Sequence, residues 1–402
     1  MSLSYPFMFA HWAVCSTGLI ASLTLTVLLL WLRPTRSPAP AAGWPALTIL
    51  KPFDGNDDGL ADNLWTYLTA HYPAPRQVLL CSDRDNKRGI AAAEQVLARL
   101  ADRPIPDVDV SLLLSSDGDL APANRKIWHL QRGLEAARHS VIVSGDSATR
   151  LEDTTLPELV ATLLAHPRTG LSWAPYTADG EGGLGSRLTR LALSASSLNF
   201  FIVALLHRLL RRGAFSAGGL FAIRREALDE VGGFAPFASV LAEDIHLARH
   251  LDEQGWQVAI SPMPVVQHPG RASLAVFYRR MVRWTFIMWR YKDPLRIHVP
   301  MVLCTLPLSL ITLPLASLGY PDHALRFAVL TAALWVSRWV YGLVLLTSVG
   351  RRAPTADVLW GTPLMELILL VAYFRSLFMR TVRWRSQRLA VEEGGEMTPA
   401  DR

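Results

Sequence analysis

The run LTILKPF, Leu47–Phe53, passes at once into the acidic DGND and has the length and composition of a strand that ends in charge. Three more runs share that form: QVLLCSD (Gln77–Asp83), VDVSLLL (Val108–Leu114) and SVIVSGD (Ser140–Asp146). Short apolar runs of this length point to buried strands rather than helices. The stretches between them, around 59–71, 90–100 and 124–137, are amphipathic with helical spacing. The order is therefore βαβαβαβ, which predicts an α/β domain with a mostly parallel, doubly wound sheet. Ligands of such sheets bind at the carboxyl ends of the strands. Lys51, Asp57, Asp83, Asp85 and Asp146 all stand at or just past such ends.

The remaining composition points to a membrane. Of 402 residues half are hydrophobic and only 18% are charged, too apolar for an ordinary soluble pair of domains. The net charge is +6, yet no basic block interleaves with aromatics in the central region as a nucleic-acid surface requires. Nucleic acid is excluded, and membrane lipid or a phosphate-bearing substrate is the expected partner. Cys15, Cys81 and Cys304 show neither disulfide nor zinc spacing, which suggests a reducing compartment.

Phe9–Leu32 has His11 as its one ionisable group and is long enough for a transmembrane anchor. It is too long for a signal peptide and has no Lys or Arg before it. Arg33 and Arg36 place the residues after the anchor in the cytoplasm. Three further apolar runs are Ile297–Leu318, Leu325–Val349 and Val358–Met379. The first carries Pro300, Pro307 and Pro314 at seven-residue spacing and should bend. Arg338 in the second and Glu366 in the third are ionisable at membrane depth, where such groups pair; Arg338 with Glu366 is the expected pair. Four full crossings would leave the tail RTVRWRSQR, Arg380–Arg388, outside, against its charge. Val358–Met379 is therefore expected to be interfacial or re-entrant. LNFFIVALLHRLLRR, Leu198–Arg212, reads equally as an interfacial helix or as a buried one.

The site class is set by the residues at the strand ends. No G-x-G-x-x-G follows the first strand and no G-x-x-x-x-G-K-[ST] occurs, which disfavours a dinucleotide dehydrogenase and a P-loop NTPase. A carboxylate meets a diphosphate only through a divalent cation, Mg²⁺ or Mn²⁺, and Asp146 is the candidate metal ligand. Asp83 suits a base or ribose; a turn or cap role remains open for any single aspartate. Glu243-Asp244 opens IHLARHLDEQG, either as a helix cap or as a base whose pKa Glu243 raises. FYRRMVRWT, Phe277–Thr285, sets Arg279, Arg280 and Arg283 beside Trp284. Such a cluster either meets headgroups or clamps an anion. His207, His246 and His268 lack ligand spacing; only His268, in QHPG, is a donor-site candidate.

KPFDGND (Lys51–Asp57), VLLCSDRD (Val78–Asp85), ANRKIWHL (Ala123–Leu130), SGDS (Ser144–Ser147), SAGGLFAIRREAL (Ser216–Leu228), LAEDIHLARHL (Leu241–Leu251) and RRMVRWT occur together in this order. Nearly the whole chain thereby resembles the ceramide glucosyltransferases, inverting family-two glycosyltransferases with a GT-A fold. The resemblance implies a Rossmann-like GT-A domain over 45–270 behind an anchor at 9–32. It also implies an R-x-x-R-W interfacial segment at 271–296, membrane or re-entrant helices at 297–379 and a basic cytoplasmic tail at 380–402. Asp83 matches the nucleoside-contacting aspartate, Asp146 the metal-holding one and Asp244 the catalytic base. Lys51 stands in the first donor-side motif, Lys126 matches a lysine near the donor, and Arg280, Arg283 and Trp284 match R-x-x-R-W. Asp146-Ser147-Ala148 lacks the second carboxylate of D-x-D. The implied reaction moves a sugar, glucose by expectation, from a UDP-sugar to a lipid hydroxyl at the cytoplasmic face. The acceptor is ceramide or, alternatively, a hopanoid or other bacterial lipid. A catalytically silent nucleotide-sugar-binding scaffold is the rival class.

Overall fold

The computed structural model describes residues 4–32, 35–116, 122–179, 182–196, 198–211, 213–291, 302–348, 353–384, 387–392 and 394–399. Arg33, Arg212, Ile297, Pro300, Val349 and Arg385 lie outside them. The chain forms two compact units, one of residues 34–180, 203–270 and 383–402, the other of residues 1–33, 181–202 and 271–382. The continuous block 45–270 expected from the sequence is thus interrupted at 181–202, and the end of the tail joins the α/β unit.

In the α/β unit the alternation expected from the sequence is present. Strands β1 (Leu47–Pro52), β2 (Arg76–Asp83), β3 (Val108–Ser115) and β4 (Val141–Gly145) alternate with helices α2 (Leu60–Thr69), α3 (Lys87–Asp102) and α4 (Arg125–Ala136). β3, β2, β1 and β4 lie side by side and parallel, with Leu47 opposite both Arg76 and Val141. β1 and β4 are buried throughout, which is why their sequences are continuous rather than alternating apolar runs. Each Leu, Ile or Val so enclosed contributes about 1.5–3 kcal/mol of burial. β3 is the edge strand, and there apolar and exposed residues begin to alternate. Asn86 caps α3 by accepting from Gly89 N at 3.0 Å, and Asn124 caps α4 by accepting from Ile127 N at 3.3 Å.

Past β4 the chain departs from simple winding. β5 (Thr149–Arg150), α5 (Thr155–Leu164), β6 (Thr169–Trp173) and β7 (Tyr176–Ala178) come next, and later β8 (Leu220–Arg224), α8 (Arg225–Glu230), α9 (Glu243–Glu253), β9 (Gln257–Ile260) and β10 (Val265–Gln267). β8 inserts antiparallel between β4 and β6, giving a seven-stranded order β3-β2-β1-β4-β8-β6-β9. β5, β10 and β7 form a second small sheet. The closing strands β12 (Gln387–Val391) and β13 (Met397–Pro399) make an antiparallel hairpin after β11 (Thr381–Trp384).

The other unit is helical. It holds α1 (Ser4–Trp31), α6 (Leu184–Ser194), α10 (Leu274–Arg290), α11 (Thr305–Gly319), α12 (Ala324–Ser348) and α13 (Thr355–Leu377), and α7 (Phe200–Leu209) starts in it. Among the described residues, three stretches are long and apolar enough to cross a membrane: Tyr5–Trp31, Pro321–Ser348 and Thr355–Leu377. Side-chain contacts fix the direction of α1 against its neighbours. Tyr5 stacks on Tyr320, His11 on Phe327, and Cys15 packs on Leu334. α12 therefore runs parallel to α1, and α11, whose Thr305 lies against Gly18, runs antiparallel to it. Arg338 Nε and Glu366 Oε1 stand 2.9 Å apart, both buried, so the expected pair is formed. Arg338 also donates to Thr305 Oγ1 at 3.0 Å and Glu366 accepts from Leu306 N at 3.2 Å, tying α11, α12 and α13 together. Of the α7 residues, Phe201–Leu205 and His207 are buried.

Candidate active site

The first residues of α4 organise the strand ends of the α/β unit. Asn124, Arg125 and Lys126 are consecutive, and each holds a different acidic residue. Arg125 grips Asp83 at the end of β2 with two nitrogens, at 2.8 and 3.2 Å, and His129 Nε2 lies 3.5 Å from the same carboxylate. Lys126 Nζ lies 2.7 Å from Asp146 Oδ1 and 3.0 Å from Glu243 Oε1, and donates to Gly218 O at 3.2 Å. Asn124 Nδ2 donates to Glu243 Oε2 at 3.1 Å. Burial alone would lower the Lys126 pKa, but the Asp146 and Glu243 charges outweigh it and hold the ammonium above its usual range.

Asp146 comes directly after β4. Tyr176 OH donates to its Oδ2 at 2.8 Å, while Gly219 O accepts from its backbone N–H at 2.9 Å. Burial would raise its pKa, and the Lys126 charge and hydrogen bond, with Tyr176, reverse this and leave it below the usual carboxylate range. It is a carboxylate at neutral pH. Tyr176 comes so close that a Cβ on Gly219 would sit 1.9 Å from its ring, so only glycine fits there. Lys51 has a different post from the donor contact expected of it. Its side chain is fully buried, lies 3.7 Å over the Tyr67 ring, and donates to the backbone carbonyl of Asp146. It fixes the Asp146 turn from behind, and burial drives its pKa well down.

Asp244 sits in the first turn of α9, half-buried. Gly218 N donates to its Oδ2 at 2.6 Å, Ile245 N to its Oδ1 at 2.9 Å, and Ser216 Oγ to its backbone carbonyl at 2.7 Å. Burial first and the neighbouring Glu243 charge second push its pKa up to about 7, against the pull of Lys126 and the two N–H donors. It can therefore take a proton near neutrality. Through Lys126 and Gly218, Asp146, Glu243 and Asp244 share one cluster.

The fit for a divalent cation rests on oxygen donors. Asp146 is one carboxylate, Ala148 stands where D-x-D has its second, and Ser147 between them donates to Asp57 Oδ2. No group of three His, Cys, Asp or Glu residues suited to a metal stands among the described residues. One or two carboxylates suit a cation whose shell is completed by phosphate oxygens and water, and do not make a closed protein cage. Asp85 is exposed at the β2 end. His268 Nδ1 pairs with Asp179 Oδ1 at 2.7 Å. Arg280, Arg283 and Trp284 belong to the helical unit, on α10. Arg280 and Arg283 are half-buried, Arg279 is exposed, Arg280 Nη1 donates to Thr189 Oγ1 at 3.3 Å, and Trp284 lies against Phe200.

Comparison with known proteins assigns this arrangement of a parallel-rich sheet with acidic residues at its strand ends to an enzyme class. The chain is a glycosyltransferase. Glycosyl transferase family 21 matches residues 10–397, and the chain belongs to that family. Ceramide glucosyltransferase 3 of Caenorhabditis elegans is 24% identical over 373 residues, 88% of this chain and 74% of its own. Ceramide glucosyltransferase 1 of the same organism is 23% identical over 262 residues, 65% of this chain and 53% of its own. In fold, the chain is similar to a GT-A enzyme, the mannosyltransferase PcManGT of Pyrobaculum calidifontis. The TM-score is 0.52 at 18% identity, over 92% of this chain and 99% of that one. That structure contains GDP-Man and Mn²⁺.

Proposed function

We propose that this protein transfers a sugar, glucose in the preferred reading, from a UDP-sugar to the hydroxyl of a membrane lipid, ceramide in the preferred reading, with inversion. The observation that carries it is the Asp244 carboxylate, held by Gly218 and Ile245 amides with its pKa near 7, in one cluster with the ionised Asp146. Inversion needs a single base that removes the acceptor proton while the diphosphate leaves. Asp244 has that role, and Asp146 holds the donor diphosphate through a divalent cation, with Asp57 beside it. The cation, when bound, neutralises the phosphate charge and favours its departure. Asp83, steadied by Arg125, accepts hydrogen bonds from the nucleoside. Arg280 and Arg283 supply fixed positive charge to the leaving diphosphate, which arginine forks match bidentately. Trp284 lines the acceptor side. Arg33 and Arg36 favour a cytoplasmic catalytic unit in a multi-pass membrane protein.

The test is turnover of radiolabelled UDP-glucose with ceramide by the purified protein in lipid. Asp244→Asn should keep donor affinity and lower kcat by about 10²–10⁴-fold. Near-native turnover in Asp244→Asn removes it as the base. Donor binding without turnover on ceramide, a hopanoid or any other lipid alcohol in the native protein would favour the scaffold reading.

A further inference from the structure

We propose that the C-terminal hairpin positions the catalytic base; this rests on Asp244 having that role. The residues just ahead of α9, 238–241, have no regular structure of their own. They are held from two sides within the α/β unit. On one side, Asn124 donates from its backbone to Ala238 O at 2.9 Å and from its side chain to Val240 O at 3.1 Å. On the other side lies the turn between β12 and β13. Leu241 N donates to Gly395 O at 2.9 Å, Met397 N donates to Ser239 O at 2.7 Å, and Val240 and Glu396 pair as an antiparallel bridge. His246, two residues after Asp244, places Nε2 2.9 Å from Gly394 O.

The turn is shaped for this contact. Gly394 and Gly395 take φ of 96° and 91°, in the left-handed region that glycine tolerates. Glu392 N to Glu396 O at 2.9 Å and Gly395 N to Glu392 O at 3.1 Å close the loop. Leu389, Val391 and Met397 are buried beneath it. The N-cap position of α9, Ala242, offers no side-chain cap, so the helix start that carries Glu243 and Asp244 relies on neighbours for its placement. The hairpin and Asn124 supply it. Residues 394–397 thereby act on the base through the 238–241 segment and His246.

The experiment compares kcat and donor KM in the full-length protein, a chain ending at Val391, His246→Ala, and a Val240→Cys/Glu396→Cys pair oxidised to a cross-link. Because a displacement of about 1 Å at the reacting groups costs around 10²-fold, the shortened chain should lose about 10- to 100-fold in kcat. Its donor KM should stay within about threefold, a split that general unfolding would not give. His246→Ala should lose kcat in the same sense and to a smaller extent. The cross-linked pair should keep native kcat, since it only fixes the contact already made. Native kcat in both the shortened chain and His246→Ala overturns the proposal, as does loss of kcat on cross-linking that reductant restores. If the shortened chain does not fold, His246→Ala and the cross-link decide. Asp244→Asn is the reference: if it stays active the base assignment fails, whereas its inactivity beside an active shortened chain refutes only the hairpin's role.

Discussion

Asp244 is a carboxylate placed where its proton is held near neutral pH. Burial and the Glu243 charge raise its pKa to about 7, and only the deprotonated form can act as base. Below pH 7 the group is increasingly protonated and inactive, so kcat/KM should rise through about pH 7 and level above it. Removing the like charge with Glu243→Gln should move that limb to lower pH, because the repulsion that raises the pKa is gone. A limb unmoved by Glu243→Gln would mean that another group titrates in the profile. At this scale the sequence was a partial guide. The acidic pair at the head of a helix was readable, and so was the effect of Glu243 on its neighbour. The Gly218 and Ile245 amides that hold the carboxylate were not, because a backbone donor has no signature in sequence. The place of Lys51 was unreadable for a related reason: a lysine at a strand end carries no sign of the tertiary packing that seats it over Tyr67.

At the scale of the element, α4 is the organiser. Its cap and first turn, Asn124, Arg125 and Lys126, project to Glu243, Asp83 and Asp146 in turn. Residues along a helix start point in different directions, so three neighbours reach two strand ends and the first turn of α9. Lys126 is shared by two of those carboxylates. Lys126→Met should therefore act oppositely to Glu243→Gln: with that positive charge gone, the Asp244 limb moves to higher pH. Breaking a largely buried pair also costs stability, about 2–4 kcal/mol once the partial solvent access of Asp146 is allowed for. Thermal melting together with the pH profile reads both, and a lower melting temperature with an unmoved limb would reduce Lys126 to a structural tie. The first four strands and three helices were legible because buried parallel strands write continuous apolar runs between amphipathic helices. β8 was not foreseen as an antiparallel insertion, since nothing in LFAIR records the direction of its neighbours. Tyr176, which steadies Asp146, belongs to the three-residue β7, too short to leave a periodic pattern.

At the scale of the whole molecule the question is how many times the chain crosses the membrane, and length alone gives a misleading answer. α13 is 23 residues and apolar enough to cross, yet a single crossing would put the basic tail beyond it outside, against its charge. We infer a path in which α1 enters from outside, so that Tyr5 and its partner Tyr320 lie at the outer end of the bundle. On that path α12, parallel to α1, returns inward, and the charges of Arg351 and Arg352 in the sequence after it favour the cytoplasmic side there. On that path α13 starts on the cytoplasmic side, and the hairpin beyond it packs on Ser239–Leu241 of the α/β unit, which the charges of Arg33 and Arg36 assign to the same side. On that path both ends of α13 are cytoplasmic, and α13 lies in the interface or re-enters. Its charges fit such a path: Asp357 is held by Arg190 at 2.8 Å and by Arg187, and Glu366 by Arg338, so neither faces lipid. The three native cysteines are buried, which leaves a quiet background for labelling introduced ones. In intact cells an impermeant thiol reagent should label Asp322→Cys and spare Ala353→Cys and Thr398→Cys, both of which should react only after the membrane is opened. Labelling of Thr398→Cys in intact cells would make α13 a full crossing and would be incompatible with a hairpin seated beside a cytoplasmic Asp244.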